Sequence, residues 1–352
     1  MSKSLQSQAG DAAAFPREPL AVREGILEVP GEVSLHHGGR LARVHVGWRL
    51  EGAASAPVVA VLGGISAHRR VFAADDPQLG WWNEVAGPGR PLDPAAARIL
   101  SLDYLGGSGE SSGPRAGEVF PSLSTYDQAE LLLRVVNHLA IKSLRAIIGA
   151  SYGAMVSLAF GERYPDRVAE LLVISGADRT HPMATAWRSV QRRIVRFAVE
   201  CGRPTEGLLL ARALAMATYR SPEEFAARFA GAPRREGPAK DEGGSGRFVF
   251  PVESYLTARG SDYAARNRPE SFVCLSESID LHRIDASRMF VPTTAVAVRE
   301  DQLVPLGDMR AMVARLPAAK LHEISSVYGH DAFLKEAERL RPIIAAVIGT
   351  PT

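Results

Sequence analysis

Leu144-Arg-Ala-Ile-Ile-Gly-Ala-Ser-Tyr-Gly-Ala-Met-Val-Ser-Leu-Ala-Phe-Gly-Glu-Arg163 contains an apolar run, a turn of small residues and a helical pattern in immediate succession. Leu144–Ile148 predicts a buried strand, and Ala154–Arg163 predicts a helix. Between them, Gly149-Ala150-Ser151-Tyr152-Gly153 matches the Gly-x-Ser-x-Gly turn that lifts a serine clear of a sheet edge. Small residues are needed two before and two after the serine because a sharp strand-to-helix turn has no space there for larger side chains. The helix N-terminus below the hydroxyl favours negative charge developing beside it. Ser151 is therefore the candidate nucleophile. The pattern alone is a weak signal, as a second match shows. Gly109-Glu-Ser-Ser-Gly113 also follows a strand, but Pro114 and a polar stretch come next. No helix can start there, so Gly106–Gly113 reads as a loop. With Ser112 where a third glycine would be required, it is no dinucleotide fingerprint either.

Outward from this turn, aliphatic runs at Val58–Leu62, Ile99–Tyr104, Leu171–Ile174, Thr294–Val298 and Leu321–Ile324 predict further buried parallel strands. Helical patterns separate several of them. In Tyr126–Leu139, for example, Ala129, Leu132, Leu133, Val136 and Leu139 recur at three- and four-residue steps. Residues 33–50 read as an antiparallel hairpin turning at Gly38-Gly39. The expected architecture is α/β: a mostly parallel, doubly wound sheet opened by an antiparallel hairpin. More than a hundred residues, from about Ala177 to Met289, separate two consecutive strands, far beyond an ordinary crossover. Amphipathic stretches at Trp187–Val199 and Leu208–Tyr219 make this a helical cap, with the Gly-rich piece Glu242–Arg247 as a loop within it. The predicted organisation is a flexible tail at 1–22, a core at 23–176 and 290–352, and a cap at 177–289.

The chain has 352 residues, a formal charge of +2, 46% hydrophobic and 23% charged residues, which is ordinary for a globular protein. Acids and bases are interspersed, so nucleic acid is not expected as a partner. Cys201 and Cys274 are the two cysteines, far apart and without metal or redox spacing, so no metal site is expected. The first twenty residues lack the apolar core of a signal peptide, which makes the cytoplasm the expected compartment. The uncharged stretch Ala146–Phe160 is shorter than the ~18 to 20 residues of a membrane span, and no membrane association is expected.

A serine at its normal pKa needs a base to take its proton and a carboxylate to orient that base. In this architecture the chain order is serine, acid, histidine. Arg299-Glu300-Asp301 follows the strand Thr294–Val298, so Asp301 and Glu300 are both candidate acids. His330, in Gly329-His330-Asp331 after the last strand, is the candidate base. Both loops lie at the sheet edge where ligands bind in open α/β folds. The oxyanion donors should be the backbone N–H of Tyr152 and one from Gly64 or Ile65, in the loop after Val58–Leu62. Of the other histidines, His68 in that same loop is the one with a case for a site role.

A wider set of motifs runs from about Pro57 to Leu340. It comprises Gly80-Trp81-Trp82, Gly87-Pro88-Gly89, Leu92-Asp93, the loop Leu105–Pro114, Phe120-Pro121, Val190-Gln191-Arg192, Thr218-Tyr219, Glu253-Ser254-Tyr255-Leu256 and Gly329-His-Asp-Ala-Phe-Leu334. In these the sequence resembles the homoserine O-acyltransferases of the α/β-hydrolase fold, which acylate homoserine, or serine in some members, from acetyl-CoA or succinyl-CoA. The resemblance implies Asp301 rather than Glu300 as the acid, Arg192 and Tyr219 as substrate contacts, and Asp331 as a further site residue. It also implies a homodimer, with acyl-CoA and L-homoserine or L-serine as substrates and no cofactor. The sequence departs from the family's usual Gly-Ser-Met-Gly-Gly at Ala150, Tyr152 and Ala154. Its oxyanion loop reads Gly63-Gly-Ile-Ser-Ala-His-Arg-Arg70 where His and Thr-Gly are common.

Three functional classes compete on this reading: an acyltransferase, a hydrolase of small esters with the same triad, and a non-catalytic binding module. Arg192 and Asp331 discriminate among them, because a carboxylate-pairing arginine and an ammonium-pairing aspartate suit an amino-acid acceptor and would have no purpose on a neutral ester. Arg69, with Arg70 as the alternative, is the candidate partner for the far carboxylate of a succinyl group, and on that ground the expected donor is succinyl-CoA.

Overall fold

The computed structural model describes residues 19–73, 79–236 and 247–349. Eight strands form one sheet in the order β1 (Leu20–Val29), β4 (Val44–Ala53), β6 (Arg98–Leu102), β5 (Val58–Leu62), β7 (Ala146–Ala150), β8 (Leu171–Ile174), β11 (Thr293–Val298) and β12 (Ala319–Ile324). Pairing from β6 through β12 is parallel, and β1–β4 and β4–β6 are antiparallel. Along β5 the pleat sends Val58, Ala60 and Leu62 into one core and Val59 and Val61 into the other, the signature of a strand covered on both faces. Helices α1 (Thr125–His138), α2 (Tyr152–Arg163) and α8 (Leu306–Val313) pack on the first face. The second is covered by the short α9 (Ala332–Lys335), by α10 (Ala337–Ile348), and by the Trp82–Leu92 segment.

The opening hairpin differs from expectation. Gly38 and Gly39, both at positive φ, do turn a small pair, β2 (Val33–Ser34) with β3 (Arg40–Leu41). The full-length partner of β4, however, is β1, in a ten-residue register from Leu20↔Ala53 to Val29↔Val44. Residues 20–22 thus belong to a strand rather than to the tail, while residues 1–18 lie outside the described residues. As an edge strand, β1 is mostly exposed and carries Arg23, Glu24 and Glu28, which interrupts the apolar alternation on which a strand is recognised.

Among the described residues, five α-helices stand between β8 and β11: α3 (Pro182–Glu200), α4 (Pro204–Tyr219), α5 (Pro222–Phe229), α6 (Pro251–Ala264) and α7 (Pro269–Asp280). They have a small apolar centre of their own, built from Val195, Leu208, Ala211, Tyr263 and Phe272. A short hairpin, β9 (Arg234–Glu236) with β10 (Arg247–Val249), joins α5 to α6. Of the Gly-rich piece read as a loop, residues 242–246 lie outside the described residues and Arg247 begins β10. Among the described residues, no helix is long and apolar enough to cross a membrane.

Candidate active site

β7 runs up to Ala150 and α2 begins at Tyr152, leaving Ser151 alone on the bend at φ 56° and ψ −120°. A non-glycine residue in this region is strained and held there by its surroundings. Those surroundings explain the flanking glycines. A Cβ on Gly149 would lie 2.3 Å from the Gly153 carbonyl oxygen, and one on Gly153 would lie 2.1 Å from the Leu62 carbonyl oxygen. The departure at Tyr152 also has a structural partner, because its buried hydroxyl lies 2.7 Å from Ser278 Oγ on α7 and so ties the turn to the cap.

Three elements converge on Ser151. His330 Nε2 lies 2.8 Å from Ser151 Oγ, and His330 Nδ1 lies 2.7 Å from Asp301 Oδ2. The other oxygen of Asp301 accepts from the backbone N–H groups of Leu303 and Val304 at 2.9 and 3.0 Å, which fixes the carboxylate. Burial pulls the His330 pKa down, but the charge and hydrogen bond of Asp301, with the charge of Asp331, outweigh it. The imidazole is held above its ordinary value. Gly329, at φ 53°, sets the bend before the histidine, where a Cβ would meet the Tyr219 carbonyl oxygen at 2.8 Å. Glu300, the rival acid, instead accepts from Ser326 N at 2.7 Å and bonds the Ser325 hydroxyl. The three side chains can relay a proton from Ser151 while it attacks a carbonyl.

A receptor for the resulting oxyanion lies opposite. The N–H of Tyr152 opens α2, and among the described residues neither it nor the N–H of Ile65 donates to a backbone carbonyl. A Cβ on Gly64 would be 4.0 Å from Ser151 Oγ, so this loop faces the nucleophile directly. The loop is held from three sides: Gly153 N and Tyr104 Oη both donate to the Gly63 carbonyl, at 2.8 and 2.7 Å, and Trp81 Nε1 donates to the His68 carbonyl at 2.9 Å. The Gly-Trp-Trp motif therefore has a structural task. Trp81 holds the oxyanion loop, and Trp82 Nε1 donates to the Phe333 carbonyl at 2.7 Å, holding the chain just after His330.

These groups line a cavity of about 170 Å³ roofed by the cap. Tyr219 and Asp331 are both in its wall. Asp331 Oδ2 accepts from Arg220 Nε at 2.9 Å, and among the described residues its Oδ1 accepts no hydrogen bond. Two other expectations are corrected. Arg192 does not line this cavity, because its Nη1 is held on Asp280 Oδ2 at 2.5 Å and on Ser276 at 3.0 and 3.1 Å. Arg69 is likewise turned away, gripped by Asp103 at 2.6 Å and Glu110 at 2.5 Å in a neighbouring pocket. Arg70 and His68 line that second pocket as well. Ser111, the serine of the second motif match, is spent on structure, donating to the Asp103 carbonyl at 2.5 Å.

Sequence reasoning missed three arginines that line the cavity: Arg179, which is paired with Asp178 at 3.0 Å, Arg188 on α3 and Arg212 on α4. Arg212 stacks over Tyr219 and Tyr263, 5.1 and 4.7 Å from the ring centroids, and donates to Tyr219 Oη at 3.2 Å. Among the described residues it forms no ion pair. A signal was present: Arg212 precedes Tyr219 by seven residues, two helical turns, so both lie on one face. This guanidinium and the Asp331 carboxylate place one cationic and one anionic group in the wall of the same cavity.

The alpha/beta hydrolase fold family matches residues 72–337. The sequence is 42% identical to homoserine O-succinyltransferase of Xanthomonas campestris pv. campestris over 342 residues, 96% of this chain and 87% of that protein. It is 31% identical to serine O-succinyltransferase of Litchfieldella anticariensis, over 91% of this chain and 96% of that one. The crystal structure of homoserine O-acetyltransferase from Bacillus anthracis superposes with a TM-score of 0.81 at 18% identity, covering 93% of this chain and 97% of that one, and so shares the fold. With this identity over nearly its whole length, and with the Ser151–His330–Asp301 relay on this scaffold, the chain belongs to the homoserine O-acyltransferase family of α/β-hydrolase-fold proteins.

Proposed function

We propose that the protein moves a succinyl group from succinyl-CoA to the hydroxyl of L-homoserine, a step of methionine biosynthesis, through an acyl-Ser151 intermediate. The observation that carries this reading is the Arg212–Asp331 pair standing in the same cavity as Ser151 and His330. In the first half-reaction His330 Nε2 takes the Ser151 proton as Oγ attacks the thioester carbonyl. The Tyr152 and Ile65 N–H groups hold the oxyanion, Gly64 allowing the approach. Collapse expels the CoA thiolate, which His330 protonates. In the second, the acceptor's α-ammonium sits on Asp331 and its carboxylate on Arg212, with Tyr219 beside them. His330 takes the acceptor's hydroxyl proton, that oxygen attacks the acyl-serine, and Ser151 recovers its proton.

A simple ester hydrolase would use the triad but leave the Arg212–Asp331 pair without a partner. An acetyl donor and a serine acceptor are the other readings within the family, the latter supported by the identity to serine O-succinyltransferase. The reading carries with it a homodimer in the cytoplasm, with acyl-CoA as a substrate and no resident cofactor. It is tested by CoA release with succinyl-CoA and acetyl-CoA crossed with homoserine and serine. Fastest release with succinyl-CoA and homoserine supports it. Release independent of any amino acid points to hydrolysis and refutes it.

A further inference from the structure

Asp331 offers the acceptor's ammonium only one oxygen, because its Oδ2 already accepts from Arg220 Nε at 2.9 Å. A guanidinium in that position works against the site, since it neutralises the charge that a second cation would meet. Arg220 is drawn the other way, however. Its Nη1 donates to Glu224 Oε1 at 2.8 Å, in the first turn of α5. The side chains of Asp331, Arg220 and Glu224 are 11%, 10% and 7% exposed, so water screens little of this cluster. Two carboxylates and one guanidinium leave it one net negative charge; without Glu224 it would carry none. Arg228 also reaches Glu224 Oε1, at 2.9 Å, but its side chain is 42% exposed and its charge is largely screened.

The chain here is fixed so that Arg220 cannot follow either partner. Gln302 Nε2 donates to the Arg220 carbonyl at 3.2 Å, and the Tyr328 ring lies 5.3 Å from its guanidinium. Ser221 N donates to the Val327 carbonyl at 3.2 Å, while Ser221 Oγ accepts from Glu224 N at 3.2 Å and caps α5. Glu224 itself is incompletely satisfied. Its Oε2 is buried, and among the described residues it has no hydrogen-bond partner. Burying a carboxylate with one oxygen unpaired is costly, and a neutral amide could have accepted from Arg220 just as well. What the carboxylate adds is its charge. We propose that Glu224 is a positioning residue for the second half-reaction: through Arg220 it keeps the Asp331 site net negative, and so sets the preference for an acceptor that carries an α-ammonium over the same alcohol without one. The inference rests on the acyl-transfer reading.

The test compares two acceptors at saturating succinyl-CoA, L-homoserine and 4-hydroxybutanoate, which is the same hydroxy acid without the ammonium, with each acylated product quantified by mass spectrometry. Glu224→Gln keeps the shape and an accepting oxygen but removes the charge. Its kcat/KM for homoserine should fall by about 5- to 30-fold, mostly through KM, while that for 4-hydroxybutanoate changes far less, so the ratio of the two collapses. Glu224→Asp, which restores the charge, should recover part of the ratio. Equal losses on both acceptors would show a merely structural role, and an unchanged ratio would likewise overturn the proposal. Should Glu224→Gln not fold, the more exposed Arg228→Met decides. Removing that cation makes the cluster more negative, so the homoserine preference should rise by about 2-fold, and a preference that stays level or falls refutes the assignment. Failure of the acyl-transfer reading itself is distinguishable, because Ser151 would then acquire no succinyl group from the donor alone.

Discussion

Asp103→Asn probes the network that replaced the expected role of Arg69. Asp103 is 2% exposed. Its Oδ1 accepts from Arg69 N at 2.8 Å, and its Oδ2 accepts from Arg69 Nη1 at 2.6 Å and from Glu110 N at 2.9 Å. Asparagine has one accepting oxygen, so whichever way the amide turns, an NH2 group faces at least one donor. A hydrogen bond to a charged group is worth about 1.5–3 kcal/mol, and breaking a buried pair costs ~3–5 kcal/mol. Arg69 keeps Glu110, but that side chain is 58% exposed and compensates little. The expected loss is about 2–4 kcal/mol, read by urea denaturation. The same bonds hold the end of the loop that carries Ile65, and small displacements of an oxyanion donor cost ~10- to 100-fold in rate. The variant's kcat should fall by that factor in the CoA-release assay, with a smaller change in donor KM. A stability loss under about 1 kcal/mol together with an unaltered kcat would refute the view that this network holds the oxyanion loop.

Ser151→Ala should abolish transfer by several orders of magnitude, and donor supplied alone should label Ser151 in wild-type protein by mass spectrometry; a label on Ser111 instead would reverse the assignment. Because the His330 pKa is held above its ordinary value and the base must be neutral, donor kcat/KM should fall as pH drops through a limb above about 6.5. Asp301→Asn removes the main raising influence, so its limb should move to lower pH, and a limb that stays in place would show that Asp301 does not set the titration. Asp331→Asn keeps an oxygen for Arg220 but loses the charge, so acceptor kcat/KM should drop ~10- to 150-fold and the acyl-enzyme should hydrolyse in greater proportion. Unchanged acceptor kinetics in that variant would remove the ammonium role.

The catalytic turn could be read from the chain because its requirements are local. A strand, two glycines and a helix start within ten residues of Ser151 dictate its geometry, and the clash at Gly149 follows from that same short segment, whereas the one at Gly153 comes from Leu62 on the neighbouring strand β5. The loops of the acid and the base were legible for a related reason, since each lies just past a predicted strand, but the choice of Asp301 over Glu300 came from the family resemblance, and the strand before His330 reads only Leu-His-Glu-Ile. The substrate residues obey a different rule. Helix α3 alone carries Arg188, Arg192, Arg193 and Arg196, and nothing in its periodicity says which guanidinium is neutralised and which remains available. That is decided by Asp280, 92 residues after Arg188 and 88 after Arg192. Arg69 shows the same logic in reverse: its loop position beside the nucleophile was read correctly, but Asp103 and Glu110 consume its charge. A cation is available to a ligand only in proportion to what its neighbours leave unpaired, and for a cap that folds over the site from a distant part of the chain, those neighbours become visible only in three dimensions.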